Sequence, residues 1–516
     1  MRNRWSTRRY ILNLGMVLLL ALTTAGCSLQ PSSKLEGKKD KGKAAASAAE
    51  ISFMLVLNQD DPPKDTILQE LQSMTRTKLA ISWVPDTIYS DKMVAAIATG
   101  TMPKVLQVKA VDVKQPSIVN GIRSGLFWEI GPYLKDYPLI SKFMNPTIMN
   151  NASYFGKTYG IYWERPQSRQ GIQFRKDWLN RLGLQEPKSM EDLYEVLQAF
   201  TYRDPDGNGK QDTYGLIDRN DLVYGAFKNI ASYFGTPNSW GLVDGKLTPD
   251  FMTSEYFNTM KFMKRLYDEK LINPDFTVTS KVQQEDRFIK GEAGMMISNV
   301  LASSVQYRIQ KVNKDADVDI LNRIKGPKGE RIWGGSGFGG LFLFPKSSIK
   351  NEAELRDVLG FFNSLLSENV NNLLTYGLED RHYRLNDDRK TIKIFPDTQT
   401  LREQEVEPYA NALRTFDIRY LQLEETSEMQ NKIQSMIEDN AKMAVNDPTT
   451  SLFSQTQAEK GAELQTIITD ATYQFILGKI DERGFTKEVD RWRISGGDQI
   501  INELNIEYAE IKQMIP

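Results

Sequence analysis

The chain has 516 residues, enough at about 150 residues per domain for two to four domains with large cores of their own. Its 65 Lys and Arg meet 66 Asp and Glu, a formal charge of −1, without the basic excess of a nucleic-acid binder. A single Cys and a single His exclude an internal disulfide, supply too few ligands for a Cys/His zinc cluster, and leave His382 as the one base for any Ser-His-Asp triad.

Arg2, Arg4, Arg8 and Arg9 precede an apolar run over Tyr10 to Ala25, the layout of a secretory leader and shorter than a stable membrane span. Small residues then end at Cys27, in Thr-Thr-Ala-Gly-Cys. This resembles the bacterial lipoprotein signal, which implies that residues 1–26 are removed and Cys27 carries lipid such as palmitate. Loss of four arginines leaves 61 cations against 66 acids, a charge of −5. Residues 28–50 are rich in Ser, Lys, Gly and Ala and lack aromatics, so 27–50 reads as a flexible tether. Such an anchor holds a body at the extracellular face of the cell membrane without spanning it.

From Ile51 the pattern alternates. Ile51 to Leu57 reads as a strand, Lys64 to Thr75 as a helix, Leu79 to Val84 as a strand, Met93 to Thr99 as a helix stopped by Gly100, and Lys104 to Val108 as a strand. That is an α/β layer architecture with parallel pairing. Helices are predicted over Phe174 to Gly183, over Ser189 to Thr201 with Ser189 as N-cap, and over Ser254 to Lys270. The α/β pattern returns at Gly340 to Phe344 with a helix over Glu352 to Glu368. Helices follow over Thr426 to Met443 and Glu459 to Leu477.

Between these elements, Asp204-Pro-Asp206-Gly-Asn208-Gly209-Lys210-Gln-Asp212-Thr213 places oxygen ligands at positions one, three, five and nine of a calcium loop, with the Lys210 carbonyl at seven. Position twelve is Gly215 instead of a bidentate Glu, so Thr213 or water has to complete the set. A structural Ca²⁺ is expected; an Asx-rich turn without metal is the other reading.

Several segments together carry a family resemblance: AIATGTMPKV (96–105), SGLFWEIGPYL (124–134), GKTYGIYW (156–163), FRKDWLNRLGL (174–184), PKSMEDLYEVLQAF (187–200), LYDEKLINPDF (266–276), FIKGEAGMM (288–296), YGLEDRHY (376–383) and QFILGKID (474–481). Their order is similar to that of the large lipoprotein solute-binding receptors of ABC sugar importers in Gram-positive bacteria. Lys104 departs from the Asp usual in the family. The resemblance implies a two-lobed α/β, periplasmic-binding-protein-like (type II) fold with an inter-lobe cleft. It places lobe 1 over 51–165 and 336–390, and lobe 2 over 166–335 and 391–516. It also implies crossings near 164–170, 334–340 and 386–396. The Gly-rich stretch Gly334 to Gly340 reads as a hinge or close-packed crossover; no P-loop Lys-Ser/Thr follows it.

Ligand contacts are expected from Gln59 and Asp60 after the first strand. Further contacts are expected from Trp163 with Glu164 and Arg165 at the first crossing, from Trp333, and from Glu379, His382 and Tyr383. A structural imidazole is the equal alternative for His382. The functional expectation is a monomeric, non-enzymatic receptor that captures a carbohydrate, an oligosaccharide by its size, and delivers it to the transmembrane subunits of an ABC permease. A calcium-dependent secreted glycan-degrading enzyme is the alternative, because two carboxylates suffice for glycoside hydrolysis.

Overall fold

The computed structural model describes residues 49–514 apart from 60, 301 and 425. Cys27, the leader and Asp60 lie outside the described residues. In chain order the main strands are β1 (Ala49–Leu57), β2 (Thr77–Pro85), β3 (Val105–Lys109) and β4 (Gly160–Glu164). Next come β5 (Gln170–Arg175), β6 (Tyr214–Leu216), β7 (Ala293–Asn299), β8 (Val318–Leu321) and β9 (Phe338–Leu343).

Two sheets result. The first has the order β2-β1-β3-β9-β4, with β1 parallel to both β2 and β3 and β9 antiparallel to β3 and β4. The second has the order β8-β5-β7-β6. Strand β9 thus joins the first sheet only after the chain has built the second, and the protein is two-lobed. Parallel pairing of β1, β2 and β3 needs crossover helices, supplied by Thr66–Thr75 and Asp86–Thr99. Gly100 ends the latter in the left-handed region (φ 69°) that favours glycine. Ser189 caps helix Met190–Tyr202 in a capping box with Asp192.

Each sheet organises its own core. The first gathers Phe53, Leu55, Val105, Tyr162, Phe342 and Phe362. The second gathers Phe174, Trp178, Phe200, Met260, Phe276 and Ile297. The segment expected to start with helix at Phe174 instead begins as β5, and only Lys176–Arg181 is helical. All six β5 residues are buried, so the strand lacks the two-residue alternation that marks a half-exposed one.

The last boundary also shifts. Val406, Tyr409, Leu413 and Phe416 pack into the first core, so the chain does not re-enter lobe 2 at 391. It re-enters after Gln422–Leu423, where helix Glu428–Met443 sets Met436 against Val300 and Ile320. The helices Gln455–Ile476 and Glu482–Trp492 then cover the second lobe. Among the described residues no helix is long and apolar enough to cross a membrane.

Candidate functional site: a cavity beside the crossings

Three stretches of chain run together where the lobes join. Arg165 N–H donates to the Gly337 carbonyl (2.9 Å), Gly335 N–H to Gln167 (2.6 Å), and Gly334 N–H to Val445 (3.0 Å). Strand Ile332–Trp333 pairs in parallel with Ala444–Val445, and the Asn238 amide donates to both the Gly334 and Val445 carbonyls (2.6 and 2.8 Å). This pairing puts Trp333 and Asp447 on the wall of one cavity.

That cavity has a volume of about 480 Å³, within the range of small-ligand sites. Trp333 is 6% exposed and meets Tyr224 edge to face at 5.7 Å between ring centroids. Lys228 reaches in from helix Ala226–Phe234, its Nζ 4.9 Å from the Trp333 ring centre and donating to Ser239 Oγ (3.0 Å). Asp221, Asp250 and Asp447 complete the charged part of the lining. Burial pushes the Asp250 carboxyl up to about 7, against the pull of Lys228. Burial also depresses the Lys228 ammonium, against Asp250 and Asp447, and raises Asp447. Asp447 accepts from Thr449 N–H and Oγ1 (2.8 and 2.7 Å), while Lys114 of the first lobe donates to the Thr449 carbonyl (2.8 Å).

Four lining residues each bury a polar atom that has no hydrogen-bond partner: Ser232 Oγ, Thr236 Oγ1, Trp333 Nε1 and Tyr473 Oη. An aromatic face beside Lys228, Asp250 and Asp447 suits a ligand with an apolar ring face and many hydroxyls.

A second cavity of about 600 Å³ adjoins the first, with Asn220 and Asp221 lining both. Tyr224, Arg169 and Arg219 line this second space.

The sequence-expected residues are scattered by comparison. Trp333 lines the first cavity. Trp163 does not: it is 6% exposed within the first core, 5.2 Å from the Phe342 ring centroid. Gly339 and Gly340 make room for its indole, since a Cβ at either would fall 2.2 or 2.0 Å from a Trp163 atom. This half of the Gly-rich stretch therefore serves close packing. At Gly335 the nearest contact a Cβ would make is an ordinary one at 3.5 Å, whereas at Gly334 it would be tight, at 3.2 Å. Glu164 is half-buried, with burial raising its carboxyl, and accepts from Asp417 N–H (3.3 Å). Arg165 is exposed on the crossing.

Gln59 lines a separate space of about 290 Å³ with Trp83, Glu407 and Asn411 near the ends of β1 and β2. Glu379, His382 and Tyr383 line neither large cavity. His382 is fully buried; its Nδ1 accepts from Leu378 N–H (3.0 Å) and its Nε2 lies 3.4 Å from Glu405, which Arg381 grips with two bonds (2.8 and 2.7 Å). Tyr383 packs edge-on against Tyr376. The imidazole is thus structural, tying a hairpin to the body, and burial depresses its basicity.

In the acidic loop, the Asn208 amide nitrogen donates to Asp206 (2.8 Å) and to Asp212 (3.2 Å), while Asp204 accepts from the Asn208 and Gly209 N–H groups (both 3.0 Å). Thr213 leaves the expected donor set: its hydroxyl donates to the Phe200 carbonyl (2.8 Å) and its side chain is buried. Position twelve could not hold a Glu in this backbone, because a Cβ at Gly215 would lie 2.3 Å from the Leu197 carbonyl oxygen. Among the described residues no group of three or more His, Cys, Asp or Glu side chains is gathered closely enough to hold a metal ion.

The two sheets, the crossings and the cavity beside them define a bacterial extracellular solute-binding protein, and the chain belongs to that family, whose pattern matches residues 67–369. Among relatives, it is 44% identical over 99% of its length to the whole of the polygalacturonan/rhamnogalacturonan-binding protein YtcQ of Bacillus subtilis (strain 168). It is 36% identical to lipoprotein LipO of the same strain, over 96% of this chain and 97% of that one. The fold matches an HMO binding, ABC-transporter associated solute-binding protein from Bifidobacterium longum infantis ATCC 15697. That match has a TM-score of 0.70 and 16% identity, and covers 90% of this chain and 99% of the other.

Lys228, Tyr224, Asp250, Asp447, Arg169 and Arg219 line the two cavities and were not picked by sequence reasoning. Only Arg169 carried a local signal, as a second arginine in the first crossing.

Proposed function

We propose that this protein is the capture component of an ABC importer, holding an oligosaccharide in the Trp333 cavity and its neighbour and passing it to the permease. One observation supports this above the rest: Trp333, with Tyr224 against it, presents aromatic surface beside Lys228, Asp250 and Asp447. The relative named for polygalacturonan and rhamnogalacturonan makes galacturonate-containing chains the first ligands to try. The test is calorimetric titration with acidic and neutral oligosaccharides, followed by chromatography of the recovered sugar. Binding with intact recovery is expected. Cleaved product would instead give Asp250 and Asp447 the two-carboxylate roles of a glycosidase.

Cys27 is proposed as the lipid-bearing residue at the membrane's extracellular face, in keeping with the lipoprotein named among the relatives. Detergent partitioning that is the same in Cys27→Ser and the parent would remove this reading.

The loop at 204–212 is proposed to take a structural calcium ion through Asp204, Asp206, Asn208, Asp212 and the Lys210 carbonyl. An ion there would take over from the Asn208 amide the task of offsetting the carboxylates. Burial and the neighbouring Asp204 and Asp212 already raise the Asp206 carboxyl. Extracellular calcium sites bind at about 0.1–1 mM, and occupancy stabilises the fold by RT ln(1 + [L]/Kd). Several millimolar calcium should raise the Tm by about 2 °C, chelator should reverse it, and Asp206→Ala should abolish the response. A melting curve indifferent to chelator makes the loop a plain turn.

A further inference from the structure

The second cavity differs from the first in its balance of charge, with three cations and two acids on its wall. Arg169 and Arg219 line it together with Lys281. Its two acidic wall residues are already engaged. Asp221 Oδ1 accepts from the Val223 and Tyr224 N–H groups (3.0 and 2.9 Å). Glu285 lies 3.4 Å from Arg308 and 3.7 Å from Lys281.

The arginines are less committed. Among the described residues, neither Arg165 nor Arg169 takes part in a salt bridge. Arg175, Arg323 and Arg381 each hold a carboxylate within 2.7 Å. Arg219 is 7% exposed, yet makes only one short bond, to the Tyr224 carbonyl (2.8 Å). Its contacts with Asp221 and Gln284 are long (3.4 and 3.5 Å), and its Nε has no partner. Arg169 is exposed on the wall, so its guanidinium is open to an incoming anion. Burial, with Arg169 and Arg414 nearby, depresses Arg165 against the pull of Asp417.

The position of this charge matters as much as its sign. Tyr224 lines the second cavity and touches Trp333 of the first, and Asn220 and Asp221 belong to both. A chain of sugar rings with one ring against Trp333 would carry its next ring past Arg219.

We propose that the second cavity is a carboxylate-reading subsite, in which Arg169 and Arg219 receive the carboxylate of a uronic-acid unit whose neighbouring ring lies on Trp333. This assignment rests on the carbohydrate reading above and adds the residues that select an acidic sugar over a neutral one. Arginine suits the task because its planar fork matches a carboxylate with two parallel bonds.

The test is calorimetry on the intact protein with trigalacturonate and with the same trisaccharide reduced at its carboxyl groups to the neutral form. The acid should bind at least about tenfold tighter, the worth of one charge-assisted bond of roughly 1.4 kcal/mol. In Arg169→Gln the acid-to-neutral ratio should fall to about one. Arg219→Lys, which keeps the charge but loses the fork, should lower the ratio without unfolding the protein, as its melting curve will verify. Equal binding of both sugars by the parent, or an unchanged ratio in Arg169→Gln, overturns the subsite and leaves the carbohydrate reading standing. Displacement of trigalacturonate by acetate at constant ionic strength overturns it too, since the cavity would then take any anion. If neither trisaccharide binds, both readings fall.

Discussion

Replacing Trp333 by Ala should weaken oligosaccharide binding by about thirtyfold or more, the roughly 2 kcal/mol typical of a buried aromatic hot spot. The ring is the apolar platform of the cavity, and its Nε1 is one of the four unpartnered polar atoms there. Stability should fall as well, because the side chain is buried against Tyr224 and beneath Lys228. Binding is therefore to be measured well below the variant's own midpoint, with Trp333→Phe as a companion that keeps an aromatic face and loses the N–H. A folded Trp333→Ala with parental affinity would place the ligand elsewhere.

Trp163→Ala should do the reverse. Its indole fills the space above Gly339 and Gly340 and packs on Phe342, so truncation leaves a void in the first core. The expected cost is about 3–5 kcal/mol of stability by denaturant unfolding, with the affinity of the folded fraction within about twofold of the parent, well inside the tenfold that 1.4 kcal/mol represents. The sequence reading had expected the opposite balance at this position. Normal stability with lost binding would restore Trp163 to the site.

The two tryptophans show where sequence reasoning reaches its limit. Both end a short apolar run, and both are tied to the Gly-rich stretch, one by sequence and one by packing. What separates them is the strand each belongs to: Trp163 lies in β4, the edge strand of a five-stranded sheet, with its indole turned into the first core, while Trp333 lies in a two-residue strand at the join of the lobes. No local pattern carries that difference.

The α/β alternation over 51–108 and the Ser189 cap were legible because they depend on neighbours in sequence. Lys228, Asp250 and Asp447 were not, because they come from three elements more than 200 residues apart end to end and acquire meaning only from shared burial. The strand β5 was hidden for a related reason, being buried on both faces. His382 drew attention by being the sole histidine, a property of composition that says nothing of location. Its place beside Glu405 depends on helix Gln399–Glu405 folding back over the hairpin.

Hydrogen exchange of the intact protein with and without saturating trigalacturonate addresses the location of the site most directly. Local protection follows the free energy of opening, which a bound ligand raises where it makes contact. Protection is predicted over Asn220–Ala231, Trp333–Gly337 and Val445–Thr450, the segments that build the cavity and its crossings. Protection confined to the space lined by Gln59 and Trp83, or to the 204–212 loop, would contradict the assignment of the site to the Trp333 cavity.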